Sequence, residues 1–479
     1  MSLHNRKSLE PWILDSVEYY PHQVEGIRLL AQHKSYIVGD DMGLGKSIQA
    51  ITTFAIDVKR GWASKLLVIC PVSLKGNWSD ELEKFTRFPF VVLEGSPNDR
   101  IKQLLEYMSM DGPKVLICNY EQVITHKDTL DAINFDMSIF DEAHFLKNPT
   151  AKRTEACLDV YARRSLMLTG TPLLNHVNEL WSLLYRIGAT KRNYYSFVNR
   201  YCVFGGYKDK QIIGVKNEGE LNELLNQWML RRLKKDVLDL PDVQIIERRV
   251  DLTDEQVILY NEVVDEMRIT RVDQSDPDDI ENALTKFLRL KEICGTTYKF
   301  TGKDVSSKLD LAVADDIELL ENGHRVVVFT QFRDMQTCYA RRLQQEVDAP
   351  VWTLNGDVKK PDRVPMVKEW GMTQEPGVIV CMLQVAGIGL NMTAARHASF
   401  LDKLFVPGLN QQAIDRLHRI GADKTQPVQV REYLARNTIE NRVNQILRTK
   451  SKIFGQIVET DPNWKQKLIQ ILFEEEAAA

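Results

Sequence analysis

The chain has 479 residues, of which 44% are hydrophobic and 27% charged, and its formal net charge is −4. This length is sufficient for two or three domains with separate cores, and the composition is ordinary for a globular protein. A run of about 18 apolar residues is absent, which excludes a membrane-spanning helix, and residues 1–7 lack the apolar segment of a signal peptide. We therefore expect an intracellular protein.

The seven cysteines form no C-x-x-C pair, which is the spacing typical of zinc sites and redox motifs. Cys70, Cys118 and Cys381 lie inside apolar runs that are typical of strands. Buried, reduced thiols are therefore expected rather than disulfides or zinc ligands.

The small net charge conceals a basic segment. Residues 396–452 contain 11 Lys and Arg against five Asp and Glu, whereas Glu474–Glu476 are acidic. A charge run is most often a solvated surface. Because this one surrounds the segment Gln411–Gly421, a contact with nucleic acid is the alternative.

Short apolar runs alternate with helix-like stretches in the first 230 residues and again after residue 305. Continuous apolar strands separated by helices predict a parallel sheet covered on both faces, and the pattern occurs twice. The predicted strands are Ser35–Gly39, Leu66–Cys70, Phe90–Leu93, Val115–Cys118, Met137–Asp141 and Ser165–Leu168 in the first series, and Arg325–Thr330, Val351–Leu354, Val378–Met382, Ala398–Asp402 and Val428–Leu434 in the second.

A segment of different character lies between the two series. A basic run, Leu230–Val237, precedes a predicted strand over Val243–Leu252 and a long helical stretch that starts at Asp254. The acidic patch Asp273–Asp279 predicts an exposed loop. The predicted domains are an N-terminal lobe over 1–232, a small helical insertion over 233–304, a C-terminal lobe over 305–455 and a C-terminal extension over 456–479.

A glycine-containing block follows the first predicted strand and precedes a helix. Gly43 and Gly45 allow the backbone to direct N–H groups at phosphate oxygens. Lys46 adds a positive charge, and Ser47 adds a hydroxyl for Mg²⁺. The strict G-x-x-x-x-G-K-[ST] pattern is not met because residue 40 is Asp. The placement between strand and helix nevertheless favours nucleotide binding over an incidental turn.

Two further strand ends carry residues suited to phosphate chemistry. Asp141 and Glu142 follow an apolar strand within the sequence Asp-Glu-Ala-His. In a nucleotide site Asp141 would hold Mg²⁺ through water, and Glu142 would act as general base for the attacking water. The next strand ends at Leu168–Pro172, whose hydroxyls suit a sensor of the γ-phosphate.

A second block, Gln411–Gly421, begins 370 residues after Asp41 and offers Arg416 and Arg419 at the spacing of one helical turn. An isolated Arg-x-x-Arg pair is ordinarily a solvated helix face. A guanidinium group can, however, stabilise the charge that spreads over phosphoryl oxygens in the transition state. The two blocks together predict one nucleotide site shared by two lobes that must close on each other.

These motifs resemble those of the Swi/Snf group of helicase superfamily two, over nearly the whole chain. In that group, Asp commonly occupies the position of Asp40, whereas Ala422 departs from the usual Gln. The short segment 233–310, with the Phe197–Cys202 and Gly214–Leu225 regions, is similar to the compact annealing-helicase branch. The remaining motifs occur in order: Leu67–Pro71 with Trp78; Asp141–His144 with Leu146–Asn148; Leu168–Pro172 with Asn175; Leu230–Val237; Val327–Phe332; Ala386–Asn391; and Gln412–Gly421.

The resemblance implies two RecA-like lobes that bind ATP and Mg²⁺ between them. It assigns catalysis to Lys46, Asp141, Glu142, Gln412, Arg416 and Arg419, and the metal to Ser47 and Asp141. The residues implied in nucleotide binding are His22, Gln23, Asp41, Met42, Gly43, Leu44, Gly45, Lys46, Ser47 and Gly389.

The resemblance also implies contacts that follow one backbone of a DNA duplex. Hydroxyl, amide and N–H donors suit phosphates, which provide affinity without sequence information. Trp78 and Trp352 are expected in the core rather than stacked on bases. The implied contact residues are Ser73, Lys75, Asn119, Thr169, Gly170 and Asn175 in the first lobe, and Thr330, Gln331, Asn355, Gly356, Gln384 and Gly387 in the second.

We therefore expect a monomeric, ATP-dependent translocase on double-stranded or branched DNA, with a bacterial, viral or nuclear setting all open. A strand-separating helicase that acts on RNA or DNA is one alternative, because Asp-Glu-Ala-His also occurs there. Leu230–Val237 and Gln412–Gly421 argue against it. A non-catalytic DNA-binding scaffold is the other, and intact Lys46, Glu142 and the two arginines argue against that.

Overall fold

The computed structural model describes residues 12–170, 177–205, 211–238, 242–269, 277–359, 362–386, 390–404, 407–419 and 426–449. The chain divides into two compact units, Met1–Leu238 and Asp239–Ala479. Within the described ranges, no helix combines the length and apolarity needed to cross a membrane.

The first unit is built on a parallel sheet with helices between successive strands. Its strands are β1 (Tyr36–Val38), β2 (Lys65–Cys70), β3 (Phe90–Val92), β4 (Lys114–Asn119), β5 (Phe135–Asp141), β6 (Ala162–Leu168), β7 (Cys202–Gly205), β8 (Gln211–Val215) and β9 (Met229–Leu230). The sheet order is β3-β4-β2-β5-β6-β1-β9, and β7 and β8 form a separate antiparallel hairpin. The central strands are buried along almost their whole length, as a sheet covered on both faces requires.

The helices of the first unit cover this sheet. Some begin with strong local signals: Ser96 accepts a hydrogen bond from the Asp99 N–H in a capping box, with Pro97 at the first helical position. The helices are α1 (Pro21–Leu30), α2 (Lys46–Lys59), α3 (Lys75–Phe85), α4 (Pro97–Ser109), α5 (Tyr120–Thr125), α6 (Lys127–Ile133), α7 (Lys152–Asp159), α8 (Leu180–Arg186), α9 (Tyr194–Tyr201), α10 (Glu218–Trp228) and α11 (Lys234–Val237).

The second unit repeats this architecture with a parallel sheet in the order β10-β15-β14-β11-β13-β12. Its strands are β10 (Gln244–Val250), β11 (Val326–Thr330), β12 (Val351–Leu354), β13 (Val378–Met382), β14 (His397–Phe400) and β15 (Gln429–Ala435). Its helices are α12 (Asp254–Ile269), α13 (Pro277–Gly295), α14 (Tyr298–Thr301), α15 (Ser307–Glu321), α16 (Arg333–Glu346), α17 (Arg363–Met372), α18 (Leu383–Ala386), α19 (Pro407–Ile414) and α20 (Ile439–Thr449).

The predicted fold class is confirmed, since each series of predicted strands forms a parallel sheet with helices on its faces. All seven cysteines are buried and unpaired, as predicted. The segment predicted as a helical insertion also contributes β10, which pairs with β15 over its full length. That strand therefore belongs to the second sheet, and the predicted domain boundaries themselves stay a prediction.

The sheet topology places the sequence motifs of each unit along one edge. Strands β2, β5, β6, β1 and β9 are consecutive neighbours and all run in the same direction. Their carboxyl ends therefore lie side by side. In an open α/β sheet this edge is where ligands bind.

Candidate active site

The phosphate loop leaves the carboxyl end of β1 and enters α2. Gly43 and Gly45 have φ angles of 83° and 74°, the left-handed region that favours glycine. Gly45 is the residue that precedes α2, and no side chain caps the helix there. The first N–H groups of a helix lack intrahelical acceptors. They are thus directed at a position that suits a phosphate group.

The side chain of Lys46 folds back over this loop. Its Nζ donates hydrogen bonds to the carbonyl oxygens of Asp40 at 2.9 Å and Asp41 at 3.2 Å. Burial lowers the pKa of Lys46, and the nearby carboxylates of Glu142 and Asp141 oppose that effect. The predicted catalytic Lys46, Asp141 and Glu142 therefore lie within electrostatic reach of one another.

The residue that breaks the strict pattern, Asp40, is a buried ion-pair partner. Its carboxylate accepts hydrogen bonds from Arg232 Nε at 3.1 Å, from Arg232 Nη2, and from Gln49 Nε2 at 3.4 Å. Arg232 also donates to Gln49 Oε1 at 2.9 Å and to the carbonyl oxygen of His22. The start of the loop is thus fixed by a charged side chain from the segment after β9.

Arg231 links three parts of the same edge. It forms an ion pair with Asp41 at 2.8 Å, and it donates to the carbonyl oxygens of Gly39 and Gly170. The second carboxylate oxygen of Asp41 accepts from the backbone N–H of Lys234 at 2.9 Å. The Asp41 side chain therefore positions the loop. Its backbone does so too, because the N–H donates to the carbonyl oxygen of Arg232 at 3.0 Å and the carbonyl oxygen accepts from Lys46 Nζ. The nucleotide contact of Asp41 stays a prediction. The sequence motif Leu230–Val237 contained these arginines but did not reveal their partners.

Asp141 lies at the carboxyl end of β5 in a defined hydrogen-bond network. Its Oδ2 accepts from the indole N–H of Trp78 at 2.9 Å, and its Oδ1 accepts from the Glu142 N–H at 3.0 Å. The hydroxyl of Tyr120 donates to its carbonyl oxygen at 2.7 Å. Burial, and then the charge of Glu142, raise the pKa of Asp141 to about 6. Trp78 is buried, as predicted, and it also orients a predicted metal ligand.

Glu142 has an unusual backbone conformation. Its φ of 50° lies in the left-handed region, which costs a non-glycine residue of order 1 to 3 kcal/mol and often marks a functional position. One of its carboxylate oxygens lies 3.2 Å from His144 Nδ1. The conformation turns the chain sharply after β5 into the 3₁₀ turn Ala143–Leu146, with Glu142 at the corner.

Two residues that the resemblance implies in nucleotide binding, His22 and Gln23, lie against the phosphate loop. His22 Nε2 is 3.0 Å from the carbonyl oxygen of Leu44, and Gln23 Nε2 donates to that oxygen at 3.3 Å. Burial lowers the pKa of His22. A Cβ on Gly45 would lie 2.3 Å from Gln23 Nε2, so only glycine permits this approach.

The described residues fit ATP with Mg²⁺. They supply an uncapped helix start, a lysine and the oxygen donors Ser47 and Asp141. Among the described residues, no group of three or more His, Cys, Asp or Glu could hold a metal alone. In phosphoryl-transfer sites Mg²⁺ needs only one or two carboxylates, with phosphates and water completing its shell. Ser47 and Asp141 together match that requirement.

The DNA-contact residues predicted in the first unit lie at the same edge, in different environments. Lys75 is buried and donates to the carbonyl oxygen of Leu93, so a phosphate contact would require this side chain to leave the interior. Asn119 caps α5 by accepting from the Gln122 N–H. Thr169 is buried, a Cβ on Gly170 would lie 2.6 Å from Met42 Cγ, and Ser73 is half-buried. Asn175 lies outside the described residues.

The predicted contacts of the second unit also lie at strand ends. Thr330 donates to the buried Asp402, and Gln331 Nε2 donates to the same carboxylate at 2.6 Å. Asn355 donates to Gln336 Oε1 at 2.9 Å. Gly356 and Gln384 are exposed and accessible. Gly387 and Gly389 lie outside the described residues.

The second block differs from the helix that its spacing predicts. Helix α19 ends at Ile414. Arg416 and Leu417 follow in turns, where their N–H groups donate to the carbonyl oxygens three residues earlier. Arg416 and Arg419 are therefore not a pair on one helix face. Arg416 is buried and Arg419 half-buried, and Gln412 lies half-buried in α19. Residues from Ile420 to 425 lie outside the described ranges.

Two known domain families match the sequence of this chain. Residues 22–299, more than half of the chain, match the SNF2-related domain. The chain belongs to the SNF2-related family. Residues 310–421 match the helicase conserved C-terminal domain, so both halves of a superfamily-two ATPase are present in this SNF2-family chain. The resemblance found in the sequence is thereby confirmed.

Relatives match almost the whole of this SNF2-family chain. A putative ATP-dependent helicase/translocase, YwqA, from Bacillus subtilis is 28% identical over 90% of this chain. The DNA annealing helicase and endonuclease ZRANB3 from mouse is 29% identical over 91%. An uncharacterized ATP-dependent helicase, MG018, from Mycoplasma genitalium is 29% identical over 94%. The matches cover 47%, 40% and 43% of these relatives, so the chain spans less than half of their length.

Proposed function

We propose that this chain is an ATP-driven translocase on double-stranded DNA. The observation that carries the proposal is the convergence of the phosphate loop, Lys46, Asp141 and Glu142 at one edge of the first sheet. The same edge carries the loop at Gly170, which contacts Arg231 and the phosphate loop. A second parallel sheet, with polar residues at its strand ends, supplies the other half of the motor.

Each residue has a defined part in hydrolysis. The N–H groups at the start of α2 and the Lys46 ammonium bind the phosphates. Ser47 and Asp141 would hold Mg²⁺, and the bound ion would neutralise charge on the phosphate oxygens. Glu142 accepts a proton from the attacking water as general base. Trp78 keeps the Asp141 carboxylate oriented through its indole N–H.

The second unit contributes the groups that make hydrolysis depend on a conformational change. Arg416 and Arg419 stabilise the charge on the transferred phosphoryl group, as an arginine finger does. Because they come from another unit, turnover requires the two units to approach each other. Cycles of closing and opening then advance the chain along its track.

DNA is proposed as the track because relatives that match over 90% of the chain include a DNA annealing helicase. Exposed Gly356 and Gln384 at strand ends are available to the DNA backbone. Contacts of this kind bind phosphates without reading sequence. They also make affinity fall steeply as salt rises, because counterions are released on binding.

The test is the rate of ATP hydrolysis with duplex DNA, forked DNA, nucleosomes, single-stranded DNA and RNA, each measured over a range of salt concentrations. We expect the largest stimulation with duplex or forked DNA and a steep loss as salt increases. Strongest stimulation by RNA would favour the strand-separating helicase instead. Tight DNA binding without any turnover would favour the scaffold.

A further inference from the structure

The first unit carries a continuous row of four aromatic side chains, which we call the aromatic row. Trp181 stacks on Tyr185 with their ring centroids 4.9 Å apart, and it meets Tyr194 edge-on at 5.6 Å. Tyr194 in turn contacts Tyr195 at 5.7 Å, again edge-on. The row thus joins α8 to the start of α9.

Both ends of the aromatic row are open to solvent, whereas its middle is fixed. Tyr195 is 76% exposed and Tyr185 is 45% exposed. Trp181 is buried and donates its indole N–H to the carbonyl oxygen of Arg192 at 2.8 Å. Asn178 donates to the hydroxyl of Tyr194 at 3.2 Å. The buried, hydrogen-bonded middle of the row therefore holds the exposed rings in place. This limits the side-chain entropy that is lost when a ligand binds.

Positive charge borders the aromatic row. Lys191 and Arg192 are exposed and lie in the connection that leads into α9. The bond from Trp181 to the Arg192 carbonyl keeps this connection against the row. Exposed rings beside Lys and Arg are the combination that binds single strands. Rings stack on bases of any sequence, and cations follow the phosphates.

We propose that the aromatic row, with Lys191 and Arg192, binds an unpaired DNA strand. This site is separate from the strand-end residues assigned above to the duplex track. A protein ligand would also use exposed tyrosines, but a cation pair beside exposed rings complements a phosphate chain with bases. The substrate preferred by the motor would then be DNA in which a duplex meets a single strand.

The aromatic row is connected to the candidate active site through one layer of packing. Helix α8, which carries Trp181 and Tyr185, packs against the turn Ala143–Leu146 that directly follows Glu142. Leu184 of the same helix shares a core cluster with Ala143 and Leu146. A DNA strand bound to the aromatic row would therefore contact a helix that packs directly against the turn after the general base Glu142. This coupling, unlike the binding itself, rests on the proposed function.

The test measures binding of fluorescein-labelled oligo(dT) to the full chain by anisotropy. Tyr195→Ala and Tyr185→Ala should each raise Kd at least about fivefold, because one base–ring stack contributes roughly 1–3 kcal/mol. Tyr195→Phe keeps the ring and should bind as the parent chain does. In a double variant with Ala in place of Lys191 and Arg192, the slope of log Kd against log salt concentration should be shallower. The decrease should be about 0.7 for each phosphate that the variant no longer neutralises.

Tyr161→Ala is the matched control, because Tyr161 is 51% exposed and belongs to no ring pair of the aromatic row. It should leave the oligo(dT) affinity unchanged. Circular dichroism and thermal melting of each variant verify that it folds. Equal affinity of Tyr195→Ala, Tyr185→Ala and the parent chain would overturn the proposal and leave the surface to a protein ligand. Tighter binding of oligo(U) than of oligo(dT) would overturn the choice of DNA.

A second measurement separates this proposal from the proposed function. Duplex-stimulated ATP hydrolysis should be unchanged in Tyr195→Ala, whereas the additional stimulation by a fork with a single-stranded arm should be lost. If duplex DNA stimulates no hydrolysis in the parent chain, the motor proposal fails, but the oligo(dT) results still decide the strand site. If Tyr195→Ala weakens oligo(dT) binding and also lowers duplex-stimulated ATP hydrolysis, the strand site is not separate from the duplex track and the proposal is wrong.

Discussion

Arg232 holds the buried carboxylate of Asp40 along one edge of its guanidinium group, with Nε donating to Oδ1 at 3.1 Å and Nη2 donating to Oδ2. The two residues are 192 positions apart in the sequence. Asp40 is fully buried and the Arg232 side chain is 10% exposed. An ion pair inside the unit therefore stands where the strict phosphate-loop pattern has a glycine.

Removal of the Arg232 side chain should lower the free energy of unfolding, and the loss should be smaller when the Asp40 carboxylate is absent. Arg232→Met leaves an uncompensated buried carboxylate, which should lower the free energy of unfolding by about 3–5 kcal/mol. Asp40→Gly in the same chain removes that charge and should recover part of the loss. Urea denaturation of the two single variants and the double variant yields the coupling energy.

The matched control is Arg200→Met. Arg200 forms an exposed ion pair with Glu220, and such pairs contribute little to stability because solvent screens the two charges. A loss from Arg232→Met no larger than that from Arg200→Met, or a coupling energy of zero with Asp40, would contradict a structural role for the buried pair.

Trp78→Phe tests whether the indole N–H orients the predicted metal ligand Asp141. The variant retains an aromatic ring in the core but loses the hydrogen bond to Oδ2. Changes to groups that orient a metal ligand cost roughly 10–100-fold in metal affinity or activity. We expect a higher Mg²⁺ concentration for half-maximal ATP hydrolysis. Trp62→Phe, at an exposed position, should leave that concentration unchanged, and so should Trp78→Phe if the bond has no such role.

Glu142→Gln should separate nucleotide binding from turnover. The amide has nearly the same shape but cannot accept the proton, so hydrolysis should fall at least about a hundredfold. Binding of a fluorescent ATP analogue should persist, because Lys46 and the loop backbone are untouched. Glu121→Gln provides an exposed control on the same unit. Normal turnover in Glu142→Gln would remove Glu142 from the role of base.

The sequence predicted the strands well because each is a short apolar run, and the ends of those runs located the motifs. It did not predict contacts between distant segments. Arg232 and Asp40 are one example. Another is β10, which joins a strand 185 residues further along the chain. Local pattern contains no information on such partners, and the hydrogen bond from the Lys75 ammonium to the Leu93 carbonyl oxygen is another contact that it did not reveal.

Local geometry at Arg416 and Arg419 was also missed. A spacing of three residues predicts a shared helix face, but only where the helix continues. Here α19 ends at Ile414, before either arginine. The exposure of Tyr185 and Tyr195 could not be predicted from the sequence either, because aromatic residues three to four positions apart usually mark a buried helix face. Their exposure depends on which side of α8 and α9 the core occupies.

His397 should make the second unit sensitive to acid. Burial, and then the neighbouring His324 and the cations Arg431 and Arg396, lower the pKa of His397 to about 4 from an ordinary value of 6.5. The folded unit thus takes up a proton less readily than the unfolded chain. Stability is complete above pH 6.5 and should fall by about 3 kcal/mol as the pH decreases towards 4. Hydrogen exchange of β14, corrected for intrinsic rates, measures this change.

His397→Phe keeps a ring in the strand but cannot titrate, so it should flatten the acid dependence of β14. His33→Phe is its control, since the His33 ring also lies 4.6 Å from an aromatic partner but belongs to the first unit. An unchanged slope in His397→Phe would show that other groups determine the acid sensitivity.

Arg419→Ala tests the contribution of the second unit to hydrolysis. If the Arg419 guanidinium stabilises charge only in the transition state, its loss should leave nucleotide affinity nearly intact. DNA-stimulated turnover should fall at least a hundredfold, because an arginine finger contributes about 10³–10⁵ in rate. Arg333→Ala is the control, as Arg333 forms an exposed ion pair with Asp357 in the same unit. A decrease in Arg419→Ala no larger than in the control would exclude Arg419 from the transition state and leave Arg416 as the candidate finger.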